Sequence, residues 1–195
     1  MIKVNDMDLR VIALFTKGFD NDYYIREVST ILNISSKSAL NTLSKLEQYN
    51  IVSSKKRGKT KLYFLNRSQI ARDYVILAEV YKKIKFLKNN ILIERVIIEV
   101  YKELSPNFLV IFGSYSKGLQ KKGSDLDIFT LEKGIDSKIK EIGKVFDIEI
   151  NTKFYPYEIF REKIDDDYLL KEIVKNHIII KGFESFVDSA VKWID

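Results

Sequence analysis

The sequence contains no cysteine, so neither a disulfide framework nor a thiolate metal site can be built from it, and a reducing cytoplasm is the expected location. Only two prolines interrupt 195 residues, and with 12% aromatics the chain does not have the composition of a disordered one. No window approaches the roughly 18 apolar residues of a membrane span. The opening Met1-Ile2-Lys3-Val4-Asn5-Asp6 lacks the apolar run of a signal peptide, so no membrane partner is expected. A single histidine, His177, gives Ser-His-Asp catalysis no support; standing before Ile178-Ile179-Ile180, it reads as a strand-edge residue.

What is present suits a folded protein. The hydrophobic content of 46% supplies material for packed cores, and the length fits two small domains. The net charge of +6 is unevenly placed. Up to Val75 there are 13 Lys and Arg against 7 Asp and Glu, and beyond it 20 against 20. A basic segment joined to a neutral one suggests that the first part meets a polyanion and the second does something else.

Along the chain, Leu9, Ile12, Ala13 and Phe15 have helical spacing that Gly18 ends. Tyr24 to Leu32 repeats the pattern, and Asn33-Ile34-Ser35-Ser36 offers a turn and an N-cap serine before a third helix through Tyr49. In that helix Ala39, Leu40, Leu43 and Leu46 form the apolar face, leaving Lys37, Ser38, Asn41, Thr42 and Lys45 opposite. Two strand-like runs, Ile51-Val52-Ser53 and Lys61 to Leu65, flank Lys55-Lys56-Arg57-Gly58-Lys59, where Gly58 can take positive φ at a hairpin tip.

Three helices followed by a basic hairpin resemble bacterial and archaeal winged helix-turn-helix regulators over roughly residues 6–67. The resemblance implies double-stranded DNA as a partner. Lys37, Ser38, Asn41, Thr42 and Lys45 would enter the major groove, with Lys55, Lys56, Arg57 and Lys59 on phosphates or the minor groove. An RNA acceptor on the same surface is an alternative. From Arg72 to Leu104 the pattern is helical, with a break at Asn89-Asn90 and a stop at Ser105-Pro106; the helix also suits a homodimer seam.

Phe108 to Phe112 is a short apolar run of buried-strand type, ending at Gly113-Ser114-Tyr115-Ser116-Lys117-Gly118. A glycine- and serine-bearing loop after a buried strand can turn amides and hydroxyls toward phosphate oxygens. Asp125-Leu126-Asp127-Ile128 follows, and strand alternation puts Asp125 and Asp127 on one face. Adjacent carboxylates repel each other unless a hard cation such as Mg²⁺ lies between them. Val145 to Asn151 reads as the next strand, with Phe146, Ile148 and Ile150 toward the core and Glu149 or Asp147 as a third carboxylate. Gly118 and Gly123 have Walker spacing, but Ser124-Asp125 stands where Lys-Ser/Thr is required, which excludes a P-loop.

Gly113-Ser114, then Asp125-x-Asp127, then a later acidic residue resembles the DNA polymerase β-type nucleotidyltransferase superfamily, in particular its minimal branch, over about residues 90–182. The implied fold is α+β: a winged helix-turn-helix at 1–75, a linker helix at 76–90, and a small mixed-sheet nucleotidyltransferase domain with flanking helices at 91–195. The resemblance implies two Mg²⁺ or Mn²⁺ ions on Asp125, Asp127 and Glu149 (or Asp147). It places the phosphates of an NTP, ATP first among them, against Gly113, Ser114, Ser116 and Lys117. A nucleoside monophosphate would pass to an acceptor hydroxyl on a protein, RNA or small molecule, with Lys117 or Lys121 beside the leaving pyrophosphate. Many relatives have arginine where Lys117 stands; lysine keeps the charge but cannot make the guanidinium's paired hydrogen bonds to phosphate. The alternative implied is a catalytically weak regulator or antitoxin that binds nucleotide or a partner protein.

Overall fold

Asn5 starts the first helix with a reciprocal cap: its side-chain oxygen accepts the Asp8 amide at 3.0 Å while the Asp8 carboxylate accepts the Asn5 amide at 2.8 Å. That helix, α1 (Asp6–Phe15), is followed by β1 (Tyr23–Tyr24), α2 (Ile25–Leu32), α3 (Ser36–Gln48), β2 (Val52–Arg57) and β3 (Thr60–Leu65) in a computed structural model that describes residues 3–193. Met1 and Ile2, part of the stretch read for a leader, lie outside the described residues, as do Ile194 and Asp195. Asn33 closes α2 in a left-handed conformation, and Ser35 caps α3 by accepting the Ser38 amide. Val11, Ile12, Phe15, Val28, Ala39, Leu43 and Leu46 are fully buried, and each of these side chains larger than alanine contributes about 1.5–3 kcal/mol.

Three local expectations need correction here. Tyr24 belongs to β1, paired with Leu62 of β3, rather than to the second helix. On α3, Leu40 is 42% exposed while Thr42 is buried, and Lys45 engages the buried carboxylate of Asp8. The expected face therefore holds at Ala39, Leu43 and Leu46, with Thr42 in place of Leu40 as its fourth member. The basic run is not a loop: Lys55, Lys56 and Arg57 lie on β2, opposite Leu62, Lys61 and Thr60. Only Gly58 and Lys59 turn the hairpin, with Gly58 at φ +64° in the first central position.

The chain divides into two compact units within α4 (Gln69–Asn89), between Tyr81 and Lys82, and the segment from Ala190 groups with the first unit. Asn90 interrupts the helical run before α5 (Ile91–Leu104), which ends at left-handed Ser105 ahead of Pro106. The second unit then runs β4 (Leu109–Phe112), α6 (Gly113–Lys117), β5 (Leu126–Thr130), α7 (Asp136–Val145), β6 (Ile150–Phe154), α8 (Tyr157–Lys163), α9 (Tyr168–Lys175), β7 (Ile178–Lys181) and α10 (Phe183–Ala190). Its four-stranded mixed sheet has the order β6-β5-β4-β7, with β5 and β6 parallel and the other pairs antiparallel.

Both sheet faces are covered. Leu126 and Ile128 of β5 share one core with Val96, Ile97 and Val100 of α5 and with Ile139 and Ile142 of α7. Toward the other side Phe129 joins Phe108, Phe160 and Phe186, with ring centroids 5.4–6.3 Å apart. Gly143 lets α7 lie close on β6, since a Cβ there would stand 2.5 Å from the Ile148 carbonyl oxygen. Asp167 caps α9 by accepting the Leu170 amide at 3.0 Å, as the acidic triplet Asp165-Asp166-Asp167 suggests. His177 stands directly before the edge strand β7 and is buried, its Nδ1 2.9 Å from the Val174 oxygen and its Nε2 3.2 Å from Lys82 Nζ.

Candidate active site

β4 ends at the middle of the sheet, where Phe112 pairs with Asp127 of β5. The next residue must turn away without a side chain. Gly113 has φ +70°, and a Cβ built on it would collide with Oδ2 of Asp127, so only glycine leaves room for that carboxylate. The expected loop after β4 is instead the single helical turn α6, which Gly118 closes in a left-handed conformation. Local hydrogen bonding wins over an open loop here because Gly118 and Leu119 return their amides to the Ser114 and Tyr115 carbonyls.

Asp127 is partly buried, and its carboxyl is raised above the usual range, first by burial and then by the charge of Asp125, against a smaller opposing effect of Lys153. The phenol of Tyr115 on α6 is raised by burial and by the same Asp125 charge. Asp125, Asp127 and Tyr115 thus form one electrostatic cluster. A half-buried carboxylate raised by a neighbouring carboxylate is a setting that a hard divalent cation relieves, and Mg²⁺ is commonly held by one or two carboxylates completed by phosphate and water. Asp125 and Asp127 fit one such ion.

The third carboxylate is placed differently from the expected strand. α7 continues to Val145, Asp147 sits in the following turn at φ +53°, and β6 begins only at Ile150. The Gly143 carbonyl accepts the amides of Phe146 and Ile148, which holds this turn in place of the first part of the expected strand. The residue opposite Asp127 on β6 is Asn151, whose amide donates to Asp125 at 3.2 Å. Glu149 supplies its backbone oxygen to the Leu126 amide at 2.8 Å, and its side chain, like that of Asp147, is exposed. Both line a cleft shared with Asp125, but no group of three or more acidic, histidine or cysteine side chains is gathered for a metal among the described residues.

The expected phosphate-binding residues separate into two sets. The Ser114 hydroxyl makes no hydrogen bond within the described residues, whereas the Ser116 hydroxyl lies 3.0 Å from both the Gly113 and Asn176 oxygens and secures α6 to the end of α9. Lys117 is ion-paired with Glu172 at 3.2 Å. In the first unit Lys37 and Asn41 are exposed on α3, Ser38 is half-buried, and Thr42 and Lys45 are turned inward. Lys55 pairs with Asp22 at 2.8 Å, while Lys56, Arg57 and Lys59 are exposed. Sequence reasoning passed over Asn151 and Lys153. Their alternation on β6 was the available signal, but the register that brings them to Asp125 and Asp127 is set by sheet pairing.

Among the described residues no helix is long and apolar enough to cross a membrane. No curated protein matches the chain. Among solved structures, reduced HlyU from Vibrio cholerae N16961 is similar at 21% identity and a TM-score of 0.34, over 40% of this chain and 78% of that one. From residue 94 in α5 to residue 189 in α10 the chain matches the family model described as a nucleotidyltransferase domain, a family of transferases.

Proposed function

We propose that the second unit transfers a nucleoside monophosphate from an NTP, ATP first among them, to an acceptor hydroxyl, and that the first unit is a winged helix-turn-helix that tethers the reaction to double-stranded DNA. The carrying observation is the Asp127 carboxylate directly over the bare Cα of Gly113, with Asp125 close enough to raise it, within the stretch that matches the nucleotidyltransferase family. Asp125 and Asp127 would hold Mg²⁺ or Mn²⁺, which when bound neutralises phosphate oxygens and lowers the cost of charge building up on the leaving group. Ser114, with its hydroxyl uncommitted, orients the phosphate chain. Tyr115 walls the site, and Asn151 keeps Asp125 in place by donating to it. Glu149, with Asp147 as the alternative, lies in the same cleft and would take the acceptor proton.

One observation favours a second reading. Asn151 stands opposite Asp127 and no three acidic groups gather among the described residues, so the site also suits binding of nucleotide with little turnover, as in a regulator or an antitoxin bound to a partner protein. The test is incubation with NTPs radiolabelled at the α-phosphate, Mg²⁺ and a lysate of the source cell, comparing wild type with Asp125→Ala/Asp127→Ala. Label carried onto an acceptor by the wild type alone is the expected result. Nucleotide binding without transfer of any of the four labels would replace the enzyme with the regulator.

A further inference from the structure

The long helix α4 is apolar on two faces, and only one of them is covered. Ala71, Val75, Ala78 and Phe86 are buried on its inward side. Ile70, Leu77 and Ile84 stand on the other side at intervals of seven residues, and they are 47%, 44% and 59% exposed. In a helix of 3.6 residues per turn, side chains seven apart lie almost above one another, so the three form a single stripe about 21 Å long that drifts by about 20° per heptad. A surface helix normally turns one apolar stripe to its own core and polar residues to water. A second stripe of large side chains at heptad spacing is the pattern by which helices pair, each side chain seating between those of the facing helix.

Two features of α4 point to a second copy of the same helix as the occupant. The stripe is symmetrical about Leu77, with an isoleucine seven residues to either side. A two-fold axis at Leu77 sets it against the partner's Leu77 and sets Ile70 against the partner's Ile84, so that one surface completes itself. The exposed charge of α4 is divided in the same sense. Asp73 lies near the N-terminal end, its side chain 67% exposed and 3.4 Å from Arg72. Lys85 and Lys88 are exposed near the C-terminal end and form no ion pair among the described residues. Antiparallel pairing turns the acidic end of one helix toward the lysine-bearing end of the other, whereas parallel pairing would lay acid on acid and lysine on lysine. We infer that the protein is a homodimer in which α4 packs antiparallel on α4 of a second copy, with Leu77 at the two-fold axis. The contact uses neither Asp125 nor Asp127 and does not rest on the proposed transfer.

Because the chain has no cysteine, single introduced cysteines report this geometry without background. The test uses the full chain, with sedimentation velocity over a concentration series and, separately, mild oxidation followed by non-reducing electrophoresis. Wild type should approach twice the chain mass as concentration rises. Leu77→Lys should weaken the dimer at least about tenfold, since it brings two like charges together in an apolar seam. Leu77→Cys should crosslink with its own copy. Ile70→Cys and Ile84→Cys should not crosslink singly, because each stands about 21 Å along the seam from its own counterpart, but they should do so when the two chains are mixed. Ile31→Cys, at a similarly exposed isoleucine on α2, is the control for random collision. Thermal melting checks that Leu77→Lys folds, and the cysteine pattern decides by itself where it does not. A wild type that stays monomeric at every concentration would overturn the inference and leave the stripe to a different protein. A dimer that survives Leu77→Lys would move the interface off α4, and self-crosslinking of Ile70→Cys and Ile84→Cys as strong as that of Leu77→Cys would make the pairing parallel; either result refutes the arrangement.

Discussion

Asp127 is the residue on which the site turns, and its energetics oppose folding of the empty protein. Its carboxyl is raised first by burial and second by Asp125, so the folded state binds that proton more tightly than the unfolded chain does. The stabilising contribution of such a group is present below the unfolded value and is lost as pH rises through the folded one. At neutral pH the carboxylate is therefore a local liability that the proposed cation would relieve. Asp127→Asn should raise the melting midpoint in EDTA at neutral pH, flatten the decline of stability between acid and neutral pH, and remove the extra stabilisation that Mg²⁺ gives the wild type. Differential scanning fluorimetry in EDTA and in Mg²⁺ checks this, and a lower midpoint for the variant in EDTA would contradict it. The pair itself was legible in the sequence, because alternation on a short strand fixes which side chains share a face. The partner of Asp125 was not: Asn151 reaches it through the parallel register of β5 and β6, which the end of α7 and the turn at Asp147 determine.

At the scale of elements, α3 shows where a helical pattern misleads. Thr42 is inside with Ala39, Leu43 and Leu46, and Leu40 is outside, because the buried face follows the spacing of the helix rather than side-chain polarity. The strand limits of the hairpin were also hidden, since a run of lysines reads as loop until its pairing with β3 is known. A polar anchor fixes α3 to the hairpin: Glu47 accepts from Lys61 at 2.6 Å and from Ser54 at 2.5 Å, and these bonds hold its carboxyl below the usual range. A depressed carboxyl stabilises the fold above its unfolded value, and that contribution is lost as pH falls through the folded value. Because the pair is partly exposed, Glu47→Gln should cost only about 0.2–1 kcal/mol at neutral pH. Below the folded value the two proteins should converge. Urea unfolding at neutral and at acid pH measures both, and an equal cost at the two would mean that packing rather than charge holds the anchor.

For the whole molecule, the proposed division between binding and chemistry follows the uneven charge. The excess of Lys and Arg falls in the first 75 residues, while the family match begins at residue 94. If the first unit alone grips duplex DNA, its salt dependence should be set by hairpin cations and be indifferent to the acidic pair. Each neutralised phosphate of a duplex adds about 0.9 to the slope of log affinity against log salt, so loss of Lys55, Lys56 and Arg57 sets a ceiling of about 2.7. Lys55 is already paired with Asp22 and packed over the Phe64 ring, so the change on replacing all three by alanine should lie nearer about 1.8, the share of Lys56 and Arg57. Nucleotide transfer to an acceptor supplied without DNA should proceed in that variant at the wild-type rate. Fluorescence anisotropy over a salt series and the label-transfer assay together decide the matter. An unchanged slope would remove the hairpin from the DNA interface, and a transfer rate that falls with DNA affinity would show that binding and chemistry are coupled through the fold.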